Sequence, residues 1–330
     1  MPFSLPFSLP IPHALFGAIT WDLDPILLRL GPLQIRYYGV CFAATIYTAF
    51  LLWRSRAIRA GHSPMLAEKF LWYGVVAVIL GSRLGHCFFY EPAHYLAHPI
   101  QILYFWKGGL ASHGATVGVI AAVWLFARNN KLTFSQVGDY LMPSVAIASG
   151  GVRIGNFFNS EVVGRAWDGP WAVIFTRYDH MMGINPPIPR HPSQFYEVLM
   201  GLAAYGAIWL VERKKIRHMG SGLTIGVLLS TYFSFRFVVE FFKEYQVDGI
   251  ADNARQIAAA QDGLQLTMGQ YLSLPVVAFG IFMIVRALRQ PKDAIPEPQP
   301  WDEAAWLAGE QARVSATTAK SKGKRGKKRK

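Results

Sequence analysis

The stretch Gly150-Gly151-Val152-Arg153-Ile154-Gly155-Asn156-Phe157-Phe158-Asn159-Ser160-Glu161-Val162-Val163-Gly164-Arg165 closes an apolar run that begins near residue 137. A bilayer crossing needs about 20 mostly apolar residues, and residues 137–158 supply that length. Glycines permit close backbone approach or a break in a membrane helix. A kinked span packed on small residues explains the glycines. It does not explain an arginine, two asparagines and a glutamate at the same end. The segment lacks the Gly-Lys-Ser/Thr of a phosphate-binding P-loop.

Six further runs match this length, near 33–53, 70–90, 113–128, 194–212, 222–242 and 269–288. The expected fold class is therefore an all-α polytopic membrane protein of about seven transmembrane helices with a small extracytoplasmic loop region. Composition agrees: of 330 residues 52% are hydrophobic and only 16% charged, against about 25% charged in a soluble domain. That argues against a soluble enzyme, a disordered chain or a fibrous repeat. No internal repeat is visible, so sequence symmetry gives no support to an inverted-repeat transporter.

The net charge is +13. Eight of the cations (Lys320, Lys322, Lys324, Arg325, Lys327, Lys328, Arg329, Lys330) fall in the last eleven residues, so the basicity is mostly a tail. Residues 291–330 are expected to be a disordered basic tail, touching anionic lipid at most and not nucleic acid. Loops 54–69, 129–136 and 213–221 hold nine Lys and Arg, whereas loops 91–112, 159–193 and 243–268 hold six over more than twice the length. The positive-inside rule makes the first set cytoplasmic. Seven spans then place the N-terminus outside, the C-terminus inside and loop 159–193 outside. The expected domains are an interfacial lead (1–32), a membrane domain (33–290) and the tail. A segment near 14–30, with Phe16 and Trp21, is expected to lie at the outer interface. The prolines and missing basic start of residues 1–13 do not suit a signal peptide. Cys41 and Cys87 sit in apolar runs, and they are too few for a disulfide framework.

Ionisable groups inside spans are costly and mark function by default. Arg83, Arg153, Arg236 and Glu240 lie late in the second, fourth and sixth spans. Tyr38, His113, Gln194, Tyr196, Glu197 and Gln270 lie early in the spans of opposite direction. All therefore share one depth, that of the outer leaflet. Arginine presents a planar, permanently charged fork suited to phosphate oxygens, and Glu240 is spaced to hold Arg236 from one helical turn away. The plain alternative is that each arginine snorkels or makes an interhelical ion pair. An anionic lipid headgroup fits the set as a whole. His113, in Gly108-Gly109-Leu110-Ala111-Ser112-His113-Gly114-Ala115, titrates in the range of a general base, although a lone histidine at a helix entrance is usually just a hydrogen-bonded polar residue. The spans show no Ser–His or paired-Asp arrangement for an intramembrane protease, no HExxH and no GxSxG. A transporter or flippase for an anionic lipid uses the same arginines. It also requires polar groups in the cytoplasmic half of the spans, where few occur.

Residues 151–164 resemble the signature of bacterial prolipoprotein diacylglyceryl transferases. Supporting matches are Arg36-Tyr37-Tyr38-Gly39, Gly81-Ser82-Arg83-Leu84-Gly85, Gly109 to Gly114, Arg190-His191-Pro192-Ser193-Gln194-Phe195-Tyr196-Glu197, Arg236-Phe237-Val238-Val239-Glu240-Phe241-Phe242 and Met268-Gly269-Gln270. The resemblance covers residues 33–290. It implies transfer of the diacylglyceryl group of phosphatidylglycerol to the lipobox cysteine of a prolipoprotein signal peptide, in the bacterial inner membrane, with glycerol 1-phosphate released. It implies no cofactor and no metal. By position it implies Arg153 as headgroup ligand, with Asn156, Glu161 and Gly164 shaping that pocket and Arg83 contributing. It implies Arg236, oriented by Glu240, at the departing phosphate or at lipid entry, His113 as base and Tyr38 as a positioning residue. Three positions depart from the family pattern: Ala115 stands where a second glycine is usual after the histidine, Ser82 replaces a glycine, and His86 replaces an aromatic or apolar residue.

Overall fold

A computed structural model describes residues 17–31, 33–104, 108–109, 111–244, 266–291, 294–295, 299 and 301–308. Phe16, Lys107, Arg255 and the lysine-rich end of the tail lie outside them. The chain divides into two compact units, one of residues 1–51 and 141–294, the other of 52–140 and 295–330.

Among the described residues seven helices have seventeen or more residues: α1 (Tyr37–Arg59), α2 (Pro64–Phe89), α4 (Ser112–Asn129), α5 (Phe134–Phe158), α7 (Ser193–Arg213), α8 (Leu223–Val239) and α9 (Met268–Arg289). Two short helices, α3 (Pro92–Ala97) and α6 (Thr176–Met181), lie between them. A 3-10 turn, Glu240–Phe242, extends α8. Four elements among the described residues are long and apolar enough to cross a membrane: α2, α7, α8 with its 3-10 extension, and α9. The other three long helices do not combine that length with that hydropathy; α5 holds Gln136, Asp139, Arg153 and Asn156 among its apolar residues.

Helix ends follow local chemistry. Ser63 caps α2, its Oγ accepting from Leu66 N–H at 3.3 Å, with Pro64 at the first helical position. Thr267 and Gln270 form a reciprocal capping box at the start of α9.

Within the 52–140 unit, α2 and α4 cross on glycines. A Cβ on Gly114 would lie 2.2 Å from the carbonyl oxygen of Gly81, and one on Gly118 would lie 2.3 Å from that of Ala77. Where lipid removes the hydrophobic drive between helices, such close backbone approach supplies the packing energy. Trp53, Phe70 and Phe126 form the aromatic core at the other end, with Trp53 and Phe70 ring centroids 4.2 Å apart. In the other unit α8 and α9 use the same device. A Cβ on Gly226 would meet the Gly280 carbonyl at 2.7 Å, and Ala146, Ala204, Ile208, Leu223 and Ala287 bury around α5, α7, α8 and α9.

The all-helical expectation is corrected in two places. Residues 26–30, expected in the interfacial segment, and 33–36, expected to open the first span, instead form a hairpin of β2 (Ile26–Leu30) and β3 (Leu33–Arg36), turned at Gly31 with φ +58°. Pro25 and the turn at Gly31 bound these apolar runs as strands. The loop after α5 contains β4 (Val173–Phe175) and β5 (Pro189–Arg190), and β4 pairs in parallel with β1 (Ile19–Trp21). A small core of Phe157, Val163, Val173 and Phe175 lies beneath these strands, with Trp21 and Tyr178 packed against it.

Candidate anion site on a buried carboxylate

Three expected residues, Arg153, Arg236 and Glu240, meet in the first unit around a carboxylate the sequence reading left without a role. Glu197 enters on the first turn of α7 and is 1% exposed. Arg153 Nε from α5 contacts Glu197 Oε2. Arg236 Nη1 from α8 lies 3.6 Å from Glu197 Oε1, and Lys243 Nζ lies 3.1 Å from the same oxygen. Arg236 Nη2 also reaches Glu240 Oε2 at 3.7 Å, the expected pairing one turn on, and Lys243 Nζ lies 3.8 Å from that oxygen. A Cβ on Gly269 would come within 2.7 Å of Glu240 Oε1, so a side chain at the start of α9 would displace this carboxylate.

The polar end of α5 extends the network. Arg153 Nη1 donates to Asn156 Oδ1 at 3.1 Å; Asn156 Nδ2 donates to Glu161 Oε2 at 3.2 Å, and Asn159 Nδ2 to Glu161 Oε1 at 3.1 Å. Gln194, fully buried, donates its Nε2 to the Glu161 carbonyl at 2.8 Å. The Tyr38 ring lies against Gly155, where a Cβ would come within 2.9 Å of Cδ2. Arg153 and Arg236 keep 23% and 25% of their side-chain surface exposed. Each thus pairs with buried acid while its side chain stays partly exposed.

Lys243 is held there by backbone. Glu244 N–H donates to the Val163 carbonyl at 3.1 Å, and Arg165 N–H to the Phe242 carbonyl at 2.9 Å, an antiparallel clasp of residues 163–165 and 242–244. Gly164 lies where three segments crowd; a Cβ would fall 2.4 Å from the His191 carbonyl and 2.7 Å from that of Phe242. Its expected part in the pocket is therefore steric. Arg190, 2% exposed, locks the same region through Asp179 (2.7 Å) and Glu244 (3.0 Å). Burial lowers the His191 pKa from its usual 6.5; the ring stacks on Trp167 at 4.3 Å, with Nδ1 3.0 Å from the Tyr196 hydroxyl.

Arg83 and His113 belong to the second unit. Arg83, expected to contribute to the headgroup pocket, lines a cavity of about 250 Å³ with His86, Glu91, Tyr95 and Tyr104. It is 5% exposed, and its three nitrogens donate to the carbonyls of Gln101, Ile102, Gly108 and Gly109 at 2.6–3.2 Å, with Tyr95 beneath the guanidinium at 4.9 Å. Burial without a carboxylate partner among these contacts makes it a staple for the segment after α2. His113 is exposed, second in α4, beside the glycine crossing. It lines a groove of about 1010 Å³ walled by apolar residues of α2 and α4. Ala115 lies inside α4, in right-handed helix where a methyl group is admitted, and the Ser82 hydroxyl donates to the Ile79 carbonyl at 3.1 Å.

Glu197 and Lys243 are the residues to which the sequence reading gave no role. The signal for Glu197 was available, since it is an intramembrane carboxylate at the depth of two arginines. Lys243 stands just past an apolar run and reads as a loop cation; only the clasp to residues 163–165 turns it inward.

The helices and this cluster define a membrane-embedded helical protein with a semi-exposed cationic site anchored on buried acid. Residues 25–286 match the family model described as prolipoprotein diacylglyceryl transferase. The chain belongs to that family. It is 41% identical to the phosphatidylglycerol–prolipoprotein diacylglyceryl transferase of Cupriavidus necator, over 84% of this chain and 97% of that one. It is 37% identical to the protein so named from Chloroherpeton thalassium (82% and 95%) and 40% identical to that from Pseudoalteromonas atlantica (83% and 92%).

Proposed function

We propose that this protein transfers the diacylglyceryl group of phosphatidylglycerol to the lipobox cysteine of a prolipoprotein signal peptide. The cysteine sulfur, as thiolate, attacks the glyceryl carbon bonded to the phosphate oxygen. A C–S bond forms, that C–O bond breaks, and glycerol 1-phosphate leaves with the bonding pair. A base must take the thiol proton, because an ordinary thiol has a pKa of about 8.5. His113 is the base in this reading. Arg153 and Arg236 hold the phosphate, Asn156 and Glu161 orient Arg153, Glu240 orients Arg236, and Tyr38 positions the lipid. The observation that carries the reading is the convergence of Arg153 and Arg236 from two helices on one buried carboxylate, with a quarter of each side chain left outward.

The finer topology belongs to the same proposal. All seven long helices span the bacterial inner membrane, with the N-terminus outside, the tail of residues 291–330 inside, and the site open to the outer leaflet. A transporter reading gains no particular support from the site.

The test is purified protein with phosphatidylglycerol vesicles and a lipobox peptide, reading glycerol 1-phosphate and thioether product together. Release dependent on the peptide thiol is expected. Lipid movement without cleavage would refute the transferase reading. Full turnover in His113→Gln would remove His113 as the base.

A further inference from the structure

Two arginines account for a phosphate site, yet three cations converge here, and the one group touching all three is Glu197. We propose that Glu197 is a positioning residue that gathers Arg153, Arg236 and Lys243 into a single trio, and that Lys243 is the third phosphate ligand. The proposal rests on the transferase reading for the identity of the anion, and on geometry alone for the trio.

Three like charges brought this close repel one another, and the repulsion is poorly screened away from bulk water. Glu197 opposes it from inside: at 1% exposure it sits behind the cations, whose side chains keep between 11% and 25% of their surface. It draws on three separate stretches of chain, α5, α8 and the residue after the 3-10 turn, and so fixes their spacing. Lys243 cannot drift from it, because the clasp with residues 163–165 holds its backbone and Arg190 holds Glu244.

The charge arithmetic leaves a resting lipid balanced and sets the extra charge of a leaving phosphate against fixed cations. Arg153, Arg236 and Lys243 against Glu197 and Glu240 carry a formal +1. The phosphodiester of phosphatidylglycerol carries −1 and balances it. As the C–O bond breaks, the leaving group becomes a monoester, with a charge of about −1.5 to −2 at neutral pH. The added charge develops against fixed cations, which favours the transition state over the bound lipid. Without Glu197 the site would be more positive and less ordered. It would grip anions harder and turn over more slowly.

That split is the test. Detergent-purified wild type, Glu197→Gln, Glu197→Asp and Lys243→Met are compared for kcat, for KM toward phosphatidylglycerol, for thermal midpoint, and for direct binding of glycerol 1-phosphate by calorimetry. Glu197→Gln is expected to lose about tenfold or more in kcat while binding glycerol 1-phosphate about threefold tighter. Glu197→Asp, which restores the charge, is expected to return product affinity to the wild-type value. Lys243→Met is expected to weaken glycerol 1-phosphate binding about fivefold. A Glu197→Gln protein with kcat near wild type overturns the proposal. So does one that loses kcat and thermal midpoint with product affinity unchanged, which is what a purely structural acid gives. Should Glu197→Gln fail to fold, unchanged product affinity in Lys243→Met overturns it alone. Wild type that binds glycerol 1-phosphate yet transfers nothing would refute the transferase reading and leave the trio standing.

Discussion

Arg83 and Arg153 are the same residue in the same kind of surroundings, a late turn of an apolar helix, and they are used in opposite ways. Arg83 is buried and spends every nitrogen on backbone carbonyls of one short segment. Arg153 spends its Nε on a buried glutamate and Nη1 on an amide, and remains partly open. Carbonyl dipoles satisfy a guanidinium's hydrogen bonds without cancelling its charge, and they use up the donors that a ligand would need. A buried carboxylate fixes the guanidinium from one side and leaves its other side available. The role of an intramembrane arginine is thus set by what lies behind it.

The comparison can be broken at its strongest point first. Arg153→Ala is expected to lower diacylglyceryl transfer about 1000-fold with the fold kept, measured as glycerol 1-phosphate release beside a thermal melt; activity within tenfold of wild type would end its assignment to the headgroup. Arg83→Ala is expected to act through stability, by about 3 kcal/mol, because several carbonyls lose a charged donor at once. If instead its thermal midpoint holds and KM for phosphatidylglycerol rises, Arg83 is a ligand after all and the contrast fails. Gly114→Ala sharpens the same side of the comparison. Its methyl group has to enter the α2–α4 crossing, at an expected cost of about 2 kcal/mol, read as a lower melting temperature.

The smallest effect is a pH dependence. His191 is held neutral by burial, its pKa lying below the unfolded 6.5. Its contribution to stability is therefore full above about pH 6.5 and is lost as pH falls through 6.5 toward the folded value. Wild type should lose more thermal stability than His191→Gln between pH 7 and pH 5. Equal losses would assign the acid sensitivity to other groups.

The helices and their cations were legible in the sequence because both signals are local. An apolar run of bilayer length needs no partner to be recognised, and an arginine inside one stands out against so little charge. Arg236 and Glu240 were legible as a pair for the same reason, being one turn apart. The strands were not. β1 pairs with β4 across some 150 residues of chain, and three-residue strands carry no period to read. Glu197 was visible as a polar residue but not as a hub, since its three partners come from two helices and the residue after a 3-10 turn, whose packing no spacing rule predicts. Lys243 was counted with the loops, because its inward turn depends on the nonlocal clasp at Gly164.

The crossing of α2 and α4 on Gly81, Gly85, Gly114 and Gly118 has a practical side. Contacts made by backbone against backbone owe little to the solvent being lipid in particular. Exchanging lipid for detergent replaces one hydrocarbon with another and leaves that van der Waals contact intact. The helix pair bearing His113 should therefore survive extraction in the arrangement it has in the bilayer, so assays on solubilised protein interrogate the native neighbourhood of that histidine.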